Sequence, residues 1–399
     1  MSFFLLPNNN NDITPSDFNI ILNEKPNLDK SRYISHALNS YISVNKSKIE
    51  GVQTEWDNVK KYTNPYEFIH TPVPYSKMSV AKYKPISRSY FKFVELAGML
   101  SLLESFNYSK INSFHLAEGP GGFIEALANM RNNTADTYTG MTLISNNTNV
   151  PGWRKSQDVL NKYSNIKIET GMDNTGDILN PENFKHCYNK YKNSMDIITA
   201  DGGFDFSIDF NMQEILSSRL VVAEALYAII MQRRGGNYIL KIFDSFSYVT
   251  CEVLYLLSCF YQRVYIVKPN TSRYANSERY IVCKNFKYTS IEPLFSSLYE
   301  IMTHISDDNL FINNILAFKI PYMFILKIEE INSVIGQQQI ESIENTLNLI
   351  HHKNKNDKLE LLKKNNINKC VNWCVKYRQS YNKIMSHTNI FQSASATEF

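Results

Sequence analysis

The middle third of the chain alternates short apolar runs with longer amphipathic segments. Runs rich in β-branched and aromatic residues predict strands at 113–118, 137–143, 166–171, 195–200, 238–243, 263–267 and 279–283. Helical periodicity predicts helices at 87–105, 123–130, 181–192, 213–233 and 248–260. Strands that alternate with helices form a mostly parallel sheet covered on both faces, so the pattern predicts a doubly wound α/β fold. The last two strands have no helix between them, which favours an antiparallel pair at the sheet edge.

The segments on either side of this alternation have a different pattern. Residues 1–84 are predicted to be an N-terminal extension, which opens on a polar, turn-rich stretch at 7–18 that is typical of a mobile arm. Residues 289–399 are predicted to be a purely helical, basic C-terminal region with a disordered tail. The region in between, 85–288, is predicted to be the central domain.

Charge and apolar content narrow the class of protein. The formal net charge is +4, which permits a polyanionic partner without requiring one. No uncharged apolar stretch reaches the ~20 residues of a membrane span, and the N-terminus lacks a secretory pattern. We therefore expect a soluble intracellular protein without a membrane partner.

The six cysteines lie mostly in apolar runs, which favours reduced thiols. Cys370 and Cys374 are one helical turn apart, with His351, His352 and His387 nearby in sequence. Zinc sites usually combine two such close couples, and this region contains one, so we predict no metal site.

Basic and aromatic residues accumulate in both flanking regions. In the N-terminal extension and at its border they are Lys60, Lys61, Lys77, Lys82, Lys84 and Arg88 together with Trp56, Tyr62, Tyr66, Phe68, Tyr75 and Tyr83. Near the C-terminus they are Lys353, Lys355, Lys358, Lys363, Lys364, Lys369, Lys376, Arg378 and Lys383. Cations suit phosphates and flat rings suit unstacked bases, so an RNA-binding face is one interpretation. An ordinary solvated amphipathic surface is the other, and both stay open.

A glycine-rich turn, Glu118-Gly119-Pro120-Gly121-Gly122-Phe123, stands at a predicted strand-to-helix junction. Such a junction presents free N–H groups and the positive end of the helix to a ligand. The turn departs from the dinucleotide pattern G-x-G-x-x-G, and the next strand ends in Gly140-Met141-Thr142-Leu143 without an acidic residue. By itself the turn is a weak signal.

Several segments together carry a family resemblance. They are SRSYFKFVE (87–95), HLAEGPGGF (115–123), TADGG (199–203), LKIF (240–243) and SERY (277–280). The chain resembles the FtsJ-type ribose 2′-O-methyltransferases over about residues 85–288. It is most similar to the Adrift-type mRNA cap methyltransferases of eukaryotes and large DNA viruses, through the His-Leu-x-Glu opening of the turn, GMDNTGDI (171–178) and YTNPYEF (62–68). The abundance of asparagine, lysine, isoleucine and tyrosine suggests an AT-rich genome, which suits a large DNA virus. A viral protein of this kind would be located in the host cytoplasm or in the virion.

The resemblance implies a Rossmann-like methyltransferase sheet and S-adenosyl-L-methionine as cofactor. The residues implied to hold the cofactor are Gly119, Pro120, Gly121, Gly122, Phe123, Tyr138, Asp173, Asp177 and Asp201. The turn would receive the methionine end, Tyr138 would form an aromatic wall beside the adenosine, and Asp173 and Asp177 would lie on the adenine side. Helix capping before Pro181 is the alternative role for these two carboxylates.

The resemblance also implies a catalytic tetrad, Lys92, Asp201, Lys241 and Glu278. A free lysine, with a pKa of about 10.4, is a poor base at neutral pH, and a nearby ammonium and partial burial both lower its pKa. In this hypothesis Lys241 is the base, and Lys92 depresses its pKa and stabilises the alkoxide. Asp201 orients Lys241, while Glu278 fixes Lys92. The cofactor's sulfonium already activates the methyl group, so the reaction needs no metal.

The implied function is methylation of a ribose 2′-hydroxyl near the 5′ cap of mRNA, as cap 1 or cap 2. Capped mRNA and other capping enzymes are the implied partners. The alternatives are a ribosomal or transfer RNA 2′-O-methyltransferase, an inactive subunit that binds capped RNA, and a small-molecule O-methyltransferase. The target nucleotide, the oligomeric state and the cap-guanine pocket stay open, with Trp56, Tyr66 and Trp153 as candidate aromatics for the pocket.

Overall fold

The computed structural model describes residues 2–27, 29, 32–145, 147, 150–203, 211–352 and 356–382. Its strands are β1 (Ser2–Leu5), β2 (Phe18–Asn23), β3 (Asn112–Leu116), β4 (Thr137–Met141), β5 (Ile166–Ile168), β6 (Met195–Ala200), β7 (Gln232–Phe243), β8 (Tyr261–Lys268), β9 (Glu278–Phe286) and β10 (Phe311–Leu316). Its α-helices are α1 (His36–Ser47), α2 (Gln53–Thr63), α3 (Ser89–Met99), α4 (Gly122–Arg131), α5 (Gln157–Lys162), α6 (Pro181–Tyr191), α7 (Gln213–Met231), α8 (Tyr248–Phe260), α9 (Phe295–Ile305), α10 (Tyr322–His351) and α11 (Asn356–Lys376). Lys353, Lys355, Lys383, His387 and the predicted tail lie outside the described residues.

Eight strands form the central sheet in the order β1-β8-β9-β7-β6-β3-β4-β5. The strands from β5 to β7 are parallel to their neighbours, and β9 inserts antiparallel between β7 and β8. Helices α3, α4 and α5 pack in one core and α6, α7 and α8 in the other, which confirms the doubly wound α/β fold. Successive strand residues point to opposite faces, so Ile197 and Ile198 of β6 belong to different cores.

Most predicted elements of the middle third are present, and two details differ. Strand β6 and helix α8 have the predicted bounds, whereas α7 ends at Met231, two residues before the predicted end at Arg233. The chain becomes extended at Gln232, whose side chain donates to the Met195 carbonyl oxygen, and β7 begins there. Strands β8 and β9 pair antiparallel as predicted, but they are not the sheet edge, because β1 pairs with β8.

The polar stretch at 7–18 is not a free arm, and that prediction was wrong. Leu6 and Ile13 on either side of its polar part are buried. Between them, Asn11 donates to the Tyr255 hydroxyl at 3.2 Å, and the backbone N–H of Ile13 donates to the Tyr288 hydroxyl at 3.3 Å. Two apolar anchors and long-range hydrogen bonds therefore hold this polar sequence against α8 and against the chain just beyond β9.

The C-terminal region is not purely helical, because residues 311–316 form β10. This strand pairs antiparallel with β2, so its partner lies almost 290 residues earlier in the sequence and local periodicity cannot reveal it. Helix α10 packs on α1 and α2, and α11 packs beside the same N-terminal extension. The two flanking segments thus fold against each other and against the central sheet.

Three further properties bear on the expectations from sequence. All six cysteines are buried and carry free thiols. Within the described ranges no cluster of three or more His, Cys, Asp or Glu side chains could hold a metal ion. No helix in the same ranges is long and apolar enough to cross a membrane.

Candidate active site

The order of the parallel strands reverses next to β3: β4 and β5 lie on one side of it, and β6 and β7 lie on the other. The four residues of the predicted tetrad lie at the edge of the sheet where these strands have their carboxyl ends. In open α/β sheets this switch point is where ligands bind. Asp201 follows β6 directly, Lys241 lies near the end of the neighbouring β7, and Glu278 begins β9 opposite Phe243. Lys92 reaches the same edge from α3.

The predicted tetrad forms two ion pairs joined by a tyrosine. The Nζ atom of Lys92 lies 2.7 Å from Oε2 of Glu278, and Nζ of Lys241 lies 3.3 Å from Oδ1 of Asp201. Lys241 also donates to the backbone oxygen of Asp201 at 2.6 Å. The hydroxyl of Tyr280 donates to Oδ1 of Asp201 at 2.9 Å, and its ring centroid lies 5.8 Å from Nζ of Lys92. Tyr280 was missed as a site residue, although it closes the sequence motif that contains Glu278.

The electrostatics of the tetrad differ from the expectation in one respect. Burial disfavours the charged form of Glu278, but Lys92 and Lys241 hold its pKa far below the usual value. Burial likewise disfavours the charged form of Lys241, yet Asp201, Glu278 and Glu224 together raise its pKa above the ordinary value. The expected lowering of the pKa of Lys241 is therefore not found in this arrangement, because the three carboxyl groups outweigh burial. The effect of Lys92 on that pKa stays a prediction.

The glycines of the turn are required by close approaches of the backbone. A Cβ atom on Gly119 would lie 1.7 Å from the Pro151 carbonyl oxygen, and one on Gly122 would lie 2.1 Å from Oγ of Ser89. Gly121 has φ +100°, which L side chains rarely adopt, and it immediately precedes α4. The turn thus brings bare backbone and the N-terminus of α4 to the sheet edge, the geometry that suits a charged ligand group.

Phe123 takes part in this turn through its backbone alone. Its side chain is fully buried and packs against Phe93 and Tyr280, with ring centroids 5.4 and 5.8 Å away. A cofactor can therefore meet the backbone N–H of Phe123, but not its ring. The turn therefore also contacts the tetrad indirectly, because Phe123 packs against Tyr280 and Tyr280 bonds to Asp201.

A buried polar network fastens the turn to the strand that carries Asp201. His115 on β3 bonds through Nε2 to Oγ of Ser113 at 2.9 Å and through Nδ1 to Oγ1 of Thr199 at 2.7 Å. Nδ1 also lies 3.2 Å from Oε2 of Glu118, whose other oxygen accepts a hydrogen bond from Thr199. Burial raises the pKa of Glu118 despite these partners. The network explains the His-Leu-x-Glu sequence, which sequence reasoning used only as a family marker.

Comparison with known proteins gives this geometry a family. The FtsJ-like methyltransferase family matches residues 85–286, about half of the chain. This chain belongs to that family. The zebrafish protein "Cap-specific mRNA (nucleoside-2'-O-)-methyltransferase 2" is 32% identical over 275 residues, covering 66% of this chain and 36% of the relative. The human protein "Cap-specific mRNA (nucleoside-2'-O-)-methyltransferase 1" is 39% identical over 178 residues, covering 42% of this chain and 21% of the relative.

The chain therefore spans between a fifth and about a third of the length of these curated relatives. Among solved structures, a putative ribosomal RNA methyltransferase from Plasmodium falciparum covers 50% of this chain and 97% of its own at 20% identity, with a TM-score of 0.35.

The loop 171–178, predicted from the sequence to lie on the adenine side of the cofactor, packs against the sheet edge. A Cβ atom on Gly176 would lie 2.1 Å from the Thr142 carbonyl oxygen, and the N–H of Ile144 donates to the Thr175 carbonyl at 2.7 Å. The loop therefore lies against the end of β4, the edge where a methyltransferase of this topology would place the nucleoside.

The two carboxylates of that loop already have partners. Asp173 accepts from the backbone N–H of Thr175 at 3.0 Å and from Nδ2 of Asn183 at 2.9 Å. These hydrogen bonds outweigh desolvation and lower the pKa of Asp173 to about 2. Asp177 accepts from the backbone N–H of Leu179 at 2.9 Å. Neither carboxylate caps α6, because the N-cap is Asn180, whose side chain accepts from the N–H of Glu182. Both carboxylates hold the loop before the helix, and contact of either one with the cofactor stays a prediction.

Tyr138 cannot form the adenosine wall, and this part of the prediction was wrong. It is the second residue of β4, at the end of the strand remote from the switch point, and its hydroxyl donates to Asp136 at 2.8 Å. The side chain is buried in the core. An aromatic side chain that does lie beside the turn is Trp153, whose ring would lie 2.4 Å from a Cβ on Gly140 and 3.0 Å from one on Gly121.

A cavity of about 300 Å³ opens beside the tetrad. Its lining residues are Lys46, Ile49, Glu50, Gln53, Trp56, Lys60, Asn64, Gln213, Phe243, Arg273, Ala275, Asn276 and Ser277. The ring centroid of Phe243 lies 5.6 Å from Nζ of Lys241, so the cavity reaches the reacting edge. Of the three aromatics that the sequence left open for a cap pocket, Trp56 lines this cavity, whereas Trp153 packs beside the glycine turn and Tyr66 packs near α11.

Proposed function

We propose that this protein transfers a methyl group from S-adenosyl-L-methionine to a ribose 2′-hydroxyl near the 5′ cap of mRNA. The observation that carries the proposal is the convergence of two lysine–carboxylate pairs beside a glycine turn at one sheet edge. The names of the curated relatives support the capped substrate, and family membership supports the cofactor.

The residues of the turn fit the methionine end of the cofactor. Gly119, Gly121 and Gly122 allow the turn to pack closely against its protein neighbours, and the first turn of α4 offers N–H donors to a carboxylate. Asp201 lies at the neighbouring strand end, where it can accept from the ammonium of the same group. When bound, the cofactor supplies a methyl group activated by a positively charged sulfur.

In this mechanism Lys241 receives the proton of the ribose hydroxyl as the oxygen acquires the methyl group. Lys241 must first be neutral. Further positive charge in the site, such as that of a bound cofactor, disfavours the ammonium form of Lys241, since like charges repel. The ammonium of Lys92 stabilises the negative charge that develops on the oxygen, and Glu278 holds Lys92 in position. Asp201 orients Lys241 and is itself fixed by the Tyr280 hydroxyl.

The cavity beside the tetrad suits the capped end of an RNA. Trp56 and Phe243 supply aromatic surface, and Lys46, Lys60 and Arg273 supply positive charge for phosphates. Farther away, α11 carries Lys363, whose Nζ lies 5.4 Å from the ring centroid of the exposed Tyr75. Contact of RNA with this basic helix stays a prediction, because a solvated surface explains the same residues.

The test compares three short RNAs of one sequence with isotopically labelled cofactor: uncapped, capped, and capped with the first nucleotide already methylated. The proposal expects transfer to capped RNA and much slower transfer to uncapped RNA. Transfer to the premethylated RNA would assign the second nucleotide, and its loss would assign the first. Equal rates on capped and uncapped RNA would contradict the cap assignment and favour a ribosomal or transfer RNA substrate. Cofactor binding without transfer to any RNA would favour the inactive subunit.

A further inference from the structure

A buried carboxyl group lies behind the tetrad, and the mechanism above does not use it. Glu224 on α7 is 0% exposed. Among the residues that the structure describes, it is the buried carboxyl with neither oxygen in a hydrogen bond of normal geometry. Glu95 and Glu214, also buried, each accept two backbone N–H groups. A charged carboxylate without such partners is strongly disfavoured in an apolar layer, so the neutral acid is the stable form of Glu224.

Glu224 lies against the turn that carries Asp201. A Cβ atom on Gly202 would be 2.3 Å from Oε1 of Glu224, so this carboxyl group touches the backbone of the turn from the α7 side. A Cβ atom on Gly203 would be 3.3 Å from Nζ of Lys241. The carboxyl group and the lysine therefore approach the backbone directly after Asp201, one at Gly202 and the other at Gly203.

The groups that face Glu224 come from four elements and carry opposing charges. They are Asp201 after β6, Lys241 and Tyr238 on β7, Glu118 after β3 and, beyond Lys241, Glu278 on β9. Burial raises the pKa of Glu224 well above its usual value, Asp201 and Glu118 raise it further, and Lys241 and the Gly202 amide oppose them. In turn Glu224 is one of the three carboxyl groups that raise the pKa of Lys241.

We propose that Glu224 is a positioning residue that stores a proton behind the Asp201–Lys241 pair and thereby sets the pH range of methyl transfer. The inference rests on the proposed function. As Glu224 ionises, its negative charge holds the proton on Lys241 and delays formation of the neutral amine. An uncharged side chain of the same shape removes that charge, so Lys241 releases its proton at lower pH.

The first test is the pH dependence of the transfer rate in Glu224→Gln, with capped RNA and cofactor both saturating. We expect the acid limb of the profile to move down by roughly half a pH unit or more, while the plateau rate changes less than about threefold. Glu252→Gln is the matched control. Glu252 is also buried, with a pKa raised by burial to about 7 and one unpartnered oxygen, but it bonds to the Ile315 N–H on β10, away from the tetrad. An acid limb that stays in place in Glu224→Gln would overturn the proposal, since a purely structural role changes stability without moving the profile.

The second test needs no methyl transfer and so separates this proposal from the proposed function. At neutral pH the infrared C=O stretches of buried protonated acids should include one component from Glu224, and the difference spectrum of wild type minus Glu224→Gln should contain that component, whereas Glu252 contributes equally to both spectra. In the same variant the NMR titration of ¹³C-labelled Lys241 should move to lower pH. An unchanged infrared band or an unchanged lysine titration would overturn the role of Glu224 even if capped RNA is methylated. Both shifts without any RNA methylation would retain it and remove the proposed substrate.

Discussion

The FtsJ-like core at 85–286 and the segments around it contribute different parts of the site. All four tetrad residues, and Tyr280 between them, belong to the core. More than half of the residues that line the neighbouring cavity belong to the N-terminal extension: Lys46, Ile49, Glu50, Gln53, Trp56, Lys60 and Asn64. The groups proposed to react therefore come from the family fold, whereas the cavity proposed to hold the substrate is lined largely by an addition to that fold. Variants of the two regions should consequently fail in different ways.

The largest expected effect is in the core. Lys241→Ala should lower the rate of transfer at least ~10²-fold, the scale for removal of a positioned acid–base group. The loss should be the same at saturating substrate, since the cavity is untouched, and single-turnover kinetics would measure it. Lys284→Ala is the matched control, because this lysine lies on β9 but bonds to the Leu100 carbonyl oxygen, away from the tetrad. A Lys241→Ala enzyme with near-normal turnover would refute the assignment of the base.

The second effect also lies in the core, at the turn. Gly121→Val should abolish cofactor binding measured by calorimetry, because a side chain at φ +100° strains the turn and its Cβ lies 3.0 Å from Trp153. Gly235→Val carries a similar backbone penalty at φ +81° with open space around it, so it should bind cofactor normally. Circular dichroism would verify that both variants are folded. Undiminished affinity in folded Gly121→Val would exclude the turn as the binding site.

The two regions also differ in how far the sequence could predict them. Strand β6 and the residue after it were placed correctly, because a short, mostly apolar run of six residues followed by Asp201 marks a strand end without information from elsewhere. The pairing of β2 with β10 escaped prediction, since each strand depends on a partner almost 290 residues away. The error for Tyr138 has a local cause. Strand β4 was predicted correctly, but Tyr138 is its second residue and so lies at the amino end, whereas ligands bind at the carboxyl end. The pKa of Lys241 depends on three-dimensional distances to three carboxyl groups, which spacing cannot give.

In the N-terminal extension, Trp56→Ala should weaken the binding of capped RNA more than it lowers the rate of methyl transfer. A ring that stacks on a base contributes about 1–3 kcal/mol, so KM for capped RNA should rise about 5- to 150-fold with little change in kcat. Trp56 is largely buried against Leu347, so some loss of stability is expected too. Leu347→Ala removes packing behind the ring without removing the ring, and it should leave KM nearly unchanged. A fall in kcat at constant KM in Trp56→Ala would contradict the division between the regions.

The smallest effect on activity is expected where the two regions are joined. Glu67 of the extension bonds to Arg273 at 2.6 Å and lies 3.5 Å from Arg88, and its pKa is lowered to about 2. Because the folded-state pKa is depressed, the pairs stabilise the fold above the ordinary pKa of 4.5, and that stability is lost as pH falls toward 2.

Glu67→Gln should therefore lower the free energy of unfolding at neutral pH by about 3 kcal/mol, and its difference from wild type should shrink in acid. Chemical denaturation at several pH values measures this. Glu330→Gln, which breaks an exposed pair with Lys327, should cost about 1 kcal/mol or less. An equal loss in both variants, or a loss from Glu67→Gln that persists at low pH, would show that the buried ion pairs do not join the regions.

The most direct test of the central claim locates the transferred methyl group. Capped RNAs of one sequence are prepared with a 2′-deoxyribose at the first nucleotide, at the second, or at both, and each is incubated with labelled cofactor. The account predicts that label is incorporated into the all-ribose RNA and is lost when the target nucleotide lacks its 2′-hydroxyl. It also predicts that no label enters the doubly substituted RNA. Undiminished labelling of that doubly substituted RNA would place the methyl group on a base or on the cap, and would contradict ribose 2′-O-methylation at this site.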